Sequence, residues 1–153
     1  MHFITGGSFA GKRNWALNFY QLTKKSDCLQ LFNFYSEDTK LADADQWKKP
    51  IMMLEGLEYL IKQKLDAMEM EEVLRHFRQL FQEFIHWEKQ GEHRQVIIIG
   101  SDITKGIVPM EKRDREWRDA VGWVYQEAVR NAVRADIIWY GINETLKQGK
   151  EGM

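Results

Sequence analysis

The sequence predicts an α/β domain with a mainly parallel sheet flanked by helices, on three observations. Short apolar runs alternate with longer segments of helical periodicity, as in chains built from strand and helix units. Residues 96–99 are β-branched without polar alternation, which is typical of a central strand covered on both faces. A glycine-rich loop follows the first apolar run and precedes a helical segment.

Five candidate strands follow one another along the chain. Each is a short, largely apolar run that is bounded by polar or turn-forming residues, as strands of a buried sheet are. They lie at residues 2–5, 28–34, 51–55, 95–99 and 136–140.

Two long helices are predicted between these strands. Residues 70–89 carry apolar side chains at i, i+3, i+4 and i+7, so that these side chains form one stripe. A second stripe begins at Trp117 and includes Ala132, and we expect its helix to end near Arg134. Helices with one apolar stripe are the elements that flank such a sheet.

Length and composition indicate a single domain over residues 1–153. Hydrophobic residues make up 44% of the chain, which is enough for a sizeable core. Lys and Arg number 22 against 23 Asp and Glu, so the charge balance does not indicate a nucleic-acid partner. No stretch resembles a signal peptide or a membrane span, and we expect a cytoplasmic protein without a membrane partner.

The glycine loop matches the phosphate-binding pattern GxxxxGK. A strand, such a loop and a helix N-terminus aim backbone N–H groups and the positive end of the helix dipole at one point, where nucleotide phosphates can bind. The lysine of the pattern would reach the outer phosphates. The matching residues are Gly6, Gly7, Ser8, Phe9, Ala10, Gly11 and Lys12.

The position after the lysine departs from this pattern. A Ser or Thr hydroxyl usually helps to hold Mg²⁺ there, whereas this chain has Arg13, and a guanidinium cannot ligate a cation. Arg suits bidentate recognition of phosphate, so one hypothesis is that Arg13 contacts a phosphate and compensates for weaker binding of Mg²⁺. Mg²⁺ is therefore an open question for this loop.

Glu55 ends the third apolar run and precedes Gly56, which places a carboxylate at the C-terminal end of a predicted strand. Ligands of open α/β sheets bind outside this edge. Phosphate-loop enzymes place an acid there that coordinates magnesium or orients water. Two interpretations remain open at this point, a magnesium ligand and a charged residue that happens to end a strand.

The segment after the fourth strand carries the most distinctive motifs. Residues 101–109 read SDITKGIVP, and residues 115–122 read RxWRDxxG. They resemble the NEVGxGIVP and RxFRDxxG motifs of the adenosylcobinamide kinase and adenosylcobinamide-phosphate guanylyltransferase family, which assembles the nucleotide loop of cobalamin. The TGG opening, the GxxxxGK loop and the acid after a strand match in the same order, so the resemblance covers most of the chain.

The resemblance implies a P-loop NTPase domain of RecA-like topology that is a homo-oligomer and binds ATP or GTP. In the family the enzyme phosphorylates the hydroxyl of adenosylcobinamide, a corrinoid, and then transfers a guanylyl group through a histidine intermediate. Carried onto this chain, the glycine loop and Arg13 would bind the nucleotide, and Lys12, Glu55 and Asp102 would be catalytic. Glu55 would lie near the metal, and Asp102 takes the place of the family's glutamate. The substrate loop would consist of Gly106, Ile107, Val108 and Pro109.

The family's guanylylated histidine lies between the second and third strands, where residues 35–50 of this chain contain no histidine. Three functions therefore stay open. The first is a kinase that has lost guanylyl transfer. The second is a nucleotide-binding paralogue without catalysis that acts as a regulator or partner. In the third, the glycine loop only turns the chain.

Overall fold

Five parallel strands and one antiparallel edge strand form the sheet of this protein, in a computed structural model that describes residues 1–149. Within these residues four α-helices flank the sheet and a short 3₁₀ helix covers Ala44–Gln46. The elements in chain order are β1 (His2–Gly6), α1 (Lys12–Phe19), β2 (Leu29–Asn33), β3 (Ile51–Glu55), α2 (Leu57–Ala67), α3 (Met70–Lys89), β4 (Gln95–Ser101), α4 (Lys112–Asn131), β5 (Arg134–Trp139) and β6 (Ile142–Gln148).

The strand order is β2, β3, β4, β1, β5, β6, and only β6 runs antiparallel to its neighbour. Thr5 of β1 is in register with Gly100 of β4 on one side and with Ile137 of β5 on the other. The carboxyl ends of β3, β4 and β1 therefore meet at one edge of the sheet. The predicted α/β architecture with a mainly parallel sheet is confirmed.

The core has two halves, one on each face of the sheet. Helices α2, α3 and α4 cover one face, where the buried side chains of α3 pack with Val96 and Ile98. Helix α1 covers the other face and packs with Ile97 and Ile99. The four β-branched residues 96–99 of β4 are buried and alternate between the two halves, as predicted for a central strand.

The end of α4, the bounds of several strands and the presence of a sixth strand differ from the sequence prediction. Helix α4 ends at Asn131 instead of near Arg134, because Ala132 adopts an extended backbone and the N–H of Val133 donates to the carbonyl oxygen of Met1. Strand β5 accordingly begins at Arg134. Strand β6 was not predicted, because its side chains are mostly polar and exposed and its stability comes from pairing with β5.

Within residues 1–149, no helix combines the length and the apolar character that crossing a bilayer requires.

A buried polar network links β1 to β5 and α1. The Nε2 of His2 lies 2.6 Å from Oδ2 of Asp136, and its Nδ1 lies 2.7 Å from the hydroxyl of Tyr20. Burial lowers the pKa of His2, against an opposing effect of Asp136. A neutral imidazole fits these contacts, since Nε2–H donates to the carboxylate while Nδ1 accepts from the tyrosine.

The carboxylate of Asp136 is satisfied by several further donors. Arg134 Nε donates to it at 2.8 Å, Thr145 Oγ1 at 2.8 Å and Asn143 Nδ2 at 3.1 Å. Burial alone raises the pKa of Asp136, but these hydrogen bonds outweigh it and lower the pKa to about 2. The network holds the edge strand β6 to the parallel part of the sheet.

We expect Asp136→Asn to lower the free energy of unfolding by about 2–3 kcal/mol at pH 7, because Arg134 loses its charged partner. A carboxylate whose folded pKa is lowered stabilises the fold above its unfolded pKa, and that contribution is lost as the pH falls from about 4 towards 2. Urea denaturation at pH 7 and pH 3 measures both effects, with exposed Glu144→Gln as the control. Wild-type stability of Asp136→Asn at pH 7 would contradict this account.

Candidate functional site

The glycine loop connects β1 to α1 and takes a conformation that glycine favours. Gly6 has φ 148° and Gly11 has φ 87°, both in the range that L side chains rarely adopt. A Cβ at Gly6 would also lie 2.3 Å from the carbonyl oxygen of Ile138 on β5. Gly6 is therefore required both by its backbone angle and by the close approach of the neighbouring strand.

The turn between β5 and β6 supports the loop from one side. The N–H of Gly141 in this turn donates to the carbonyl oxygen of Ala10 at 2.8 Å. The indole of Trp139 lies 3.4 Å from the position that a Cβ of Gly7 would take. Phe9, at the tip of the loop, is fully exposed. The loop is thus held by backbone contacts while its tip faces solvent.

Lys12 lies at the start of α1 and folds back over the loop. Its Nζ donates to the carbonyl oxygen of Gly7 at 2.7 Å, and the residue is only 8% exposed. Burial lowers the pKa of Lys12, while the carboxylates of Glu58 and Glu55 act in the opposite direction. The ammonium group is therefore placed inside the loop, where the outer phosphates of a nucleotide would meet it.

Arg13 forms an ion pair with Glu55. The Nε of Arg13 donates to Oε2 of Glu55 at 2.6 Å, and a terminal guanidinium nitrogen contacts the same oxygen. The pair joins the first turn of α1 to the end of β3, and thus spans the end of β4, which lies between β3 and β1. The carboxylate of Glu55, which the sequence suggested as a magnesium ligand, is therefore already paired with a guanidinium.

These residues do not fit a bound Mg²⁺. Phosphate-loop enzymes hold the ion with the hydroxyl that follows the lysine and with an acid at a strand end. Here Arg13 occupies the first position, and Glu55 at the second position pairs with it. In the described part of the chain, no three His, Cys, Asp or Glu side chains come together as a metal site.

Glu58 is a site residue that the sequence analysis missed. It lies in the first turn of α2, is 2% exposed, and accepts hydrogen bonds from the hydroxyl of Tyr35 at 2.8 Å and the N–H of Ser101 at 3.2 Å. Burial raises its pKa, although these donors and Lys12 oppose the shift. The sequence signal available for the start of this helix was Gly56, which directly precedes α2 and has φ 90° in the left-handed region that glycine favours.

Asp102 follows β4 and lies beside the glycine loop. Its N–H donates to the carbonyl oxygen of Gly6 at 2.8 Å. One carboxylate oxygen accepts from the N–H of Thr104 at 2.8 Å and from its hydroxyl at 2.6 Å, and the other lies 3.9 Å from Nζ of Lys105. The structure thus brings Asp102 to the same edge as Lys12, where its side chain shapes the loop that follows β4.

Two arginines of α4 hold the backbone of that loop. Arg118 donates to the carbonyl oxygens of Ile107 at 3.2 Å and Gly106 at 3.3 Å, and Arg115 donates to that of Pro109 at 3.1 Å. Ile107 is 96% exposed, and the side chain of Val108 also faces solvent. The RxWRD motif therefore positions the GIVP loop through its backbone and leaves the apolar side chains free for contacts.

A groove of about 560 Å³ lies between the sheet and α4, next to Asp102. Its lining includes Thr5, Thr104, Gly122 and Tyr125. The hydroxyl of Thr5 is buried and, among the residues described, has no hydrogen-bond partner. Thr5 directly precedes the glycine loop, and the N–H of Asp102 donates to the carbonyl oxygen of Gly6, so the groove adjoins the start of that loop.

Comparison with known proteins gives one family. The family model described as cobinamide kinase / cobinamide phosphate guanyltransferase matches residues 30–146. The match runs from β2 into β6 and includes Glu55, Glu58, Asp102 and the RxWRD helix, but it begins after the glycine loop. No curated protein matches the chain.

We expect Arg118→Ala to loosen the GIVP loop without unfolding the domain, because the carbonyl oxygens of Gly106 and Ile107 lose their common donor. Limited proteolysis with thermolysin should cut residues 104–110 several-fold faster, while the free energy of unfolding changes by about 1 kcal/mol. The matched control is Arg113→Ala, which removes an exposed pair with Asp66 from the same helix. Equal cleavage rates in wild type and Arg118→Ala would show that this arginine does not hold the loop.

Proposed function

Because the chain belongs to the cobinamide kinase / cobinamide phosphate guanyltransferase family, we propose that it is a nucleotide-dependent kinase that phosphorylates adenosylcobinamide in cobalamin biosynthesis. The single observation that carries the proposal is the closure of Lys12 over the glycine loop, 2.7 Å from the carbonyl oxygen of Gly7. The loop lies outside the matched segment, so it supports nucleotide binding independently of the family assignment. The P-loop fold of RecA-like type, which the sequence predicts, agrees with the family assignment and with nucleotide binding at the glycine loop.

The proposed nucleotide is ATP or GTP, bound by its phosphates. The backbone N–H groups of the glycine loop, with Ser8 and Phe9 at its tip, would surround the phosphates at the positive end of α1. Lys12 would exchange the carbonyl oxygen of Gly7 for a phosphate oxygen, which offers a full negative charge. This change of partner needs no large movement of Lys12, because its ammonium group already lies inside the loop.

The proposed reaction is an in-line phosphoryl transfer. The hydroxyl oxygen of adenosylcobinamide attacks the γ-phosphorus and forms an O–P bond, while the bond from that phosphorus to the bridging oxygen breaks and the nucleoside diphosphate leaves. Lys12 neutralises the charge that develops on the phosphoryl oxygens. We propose Asp102 as the acceptor of the hydroxyl proton, because its backbone N–H donates to the carbonyl oxygen of Gly6 and the residue therefore lies beside the glycine loop. The GIVP loop, from Gly106 to Pro109, would contact the corrinoid through Ile107 and Val108.

We propose that the guanylyl-transfer step is absent. That step uses a histidine intermediate in the family that the chain resembles, and residues 35–50 contain no histidine. The chain has four histidines: His2 belongs to the buried network, His76 and His86 lie on α3, and His93 precedes β4. None of these four histidines lies between β2 and β3, where the family has its guanylylated histidine.

The alternative function is a nucleotide-binding paralogue without catalysis that regulates or accompanies a complete enzyme. The Arg13–Glu55 pair favours this alternative, because it fills the two positions from which phosphate-loop enzymes hold magnesium. Release of ADP or GDP that depends on adenosylcobinamide separates the two functions. Release supports the kinase, whereas nucleotide binding without release supports the regulator.

We also propose a homo-oligomer, as in the family, and a cytoplasmic location. Trp123 on α4 is 58% exposed, and an exposed tryptophan is a common anchor of protein interfaces. Sedimentation velocity of wild type and Trp123→Ala tests the assembly.

Isothermal titration with non-hydrolysable analogues of ATP and GTP tests the nucleotide site. We expect micromolar binding by the wild type and about 10- to 100-fold weaker binding by Lys12→Ala, since a charge-assisted hydrogen bond contributes about 1.5–3 kcal/mol. Lys24→Ala, which removes an exposed lysine, is the control and should bind like the wild type. If the folded wild type binds neither nucleotide, the glycine loop only turns the chain.

A further inference from the structure

The residue after the phosphate-loop lysine is the point at which this chain departs most from the GxxxxGK[ST] pattern. We infer that the Arg13 guanidinium is a built-in cation that takes the place of Mg²⁺, so that nucleotide binding does not depend on a divalent metal. The inference rests on the proposed nucleotide site and states that this site needs no Mg²⁺ from solution.

The position of the guanidinium is the first reason. A magnesium ion in a phosphate-loop enzyme lies between the first turn of the helix and an acid at a strand end, and it contacts both. In this chain Arg13 lies in that first turn, and its guanidinium reaches Glu55 at the end of β3. The positive charge therefore stands between the two positions that would otherwise hold the ion.

The donor capacity of Arg13 is the second reason. A guanidinium carries five N–H donors in a planar fork, which matches phosphate oxygens as well as carboxylate oxygens. Nε and one terminal nitrogen contact the same oxygen of Glu55, so further donors remain for a second anion. A quarter of the Arg13 side chain is exposed, so solutes can reach it.

The charge balance of the site is the third reason. Lys12 and Arg13 carry positive charges, and the acids near them are Glu55 and Glu58. A magnesium ion at Glu55 would either displace the guanidinium or lie beside it, where like charges repel strongly in a partly buried site. Phosphates, in contrast, would add negative charge next to two cations that are already in place.

The test compares nucleotide affinity with and without metal. Isothermal titration with non-hydrolysable analogues of ATP and GTP is carried out in excess EDTA and in excess Mg²⁺, on protein whose fold is checked by circular dichroism. For the wild type we expect dissociation constants that differ by less than about threefold between the two conditions.

Two substitutions of Arg13 make the comparison specific. Arg13→Thr restores the hydroxyl of the usual pattern and releases Glu55, so it should bind about tenfold or more weakly in EDTA and recover when Mg²⁺ is added. Arg13→Lys keeps the charge but not the fork, and its affinity should fall a few-fold while remaining independent of metal.

Glu55→Gln provides a third variant in case Arg13→Thr does not fold. If Arg13 replaces the ion, removing the competing carboxylate leaves binding in EDTA as tight as in the wild type or tighter. If Glu55 is a metal ligand, the same substitution weakens binding about tenfold or more in Mg²⁺ and overturns the inference.

The outcomes separate this inference from the proposed function. A wild type that binds nucleotide tenfold or more weakly in EDTA overturns the inference and leaves the nucleotide site standing. Wild-type affinity of Arg13→Thr in EDTA also overturns it. A folded wild type that binds neither nucleotide in either condition overturns the proposed function and the inference together.

Discussion

The parallel pairing of β3, β4 and β1 is the constraint on which the candidate site depends. Parallel strands end at the same edge, so this pairing brings together three chain segments that are far apart in sequence. β1 leads into the glycine loop, β3 ends at Glu55, and β4 leads to Asp102. Helix α1 begins where the loop ends, so its first two residues lie at this edge: Lys12 folds back over the loop, and Arg13 pairs with Glu55 at the end of β3. A shift in the order or register of these strands would separate the groups.

Electrostatics then determine how the groups at this edge are arranged. A buried charge is costly unless it has partners, and each of these charges has one. Lys12 donates to a loop carbonyl oxygen, Arg13 pairs with Glu55, and Glu58 accepts from a tyrosine hydroxyl and a backbone N–H. Lys12 can exchange its carbonyl partner for a phosphate oxygen, and Arg13 can bind phosphate while it stays paired with Glu55, because its guanidinium keeps further N–H donors. The site is thus stable by itself and can receive an anion without assembling new charges.

Much of the fold was accessible from the sequence, because it follows from local patterns. The β-branched run of β4 and the apolar stripe of α3 have strong periodic signals, and the glycine loop has a fixed spacing. Strand β6 has no such signal, since it is a polar edge strand held by the backbone of β5 and by the network at Asp136. Contacts to backbone carbonyl oxygens also leave no trace in a sequence, so the role of Arg118 required the structure. The pair of Arg13 and Glu55 joins residues 42 positions apart, and it depends on strand order as much as on residue type.

A crystal structure of the protein with a non-hydrolysable GTP analogue, grown in EDTA, tests the central claim most directly. The account predicts that the phosphates lie against the glycine loop and that Nζ of Lys12 has moved from the carbonyl oxygen of Gly7 to a phosphate oxygen. It also predicts that the Arg13 guanidinium lies between Glu55 and the phosphates. A complex in which Arg13 points away from the phosphates, or an analogue that binds elsewhere on the protein, would contradict it.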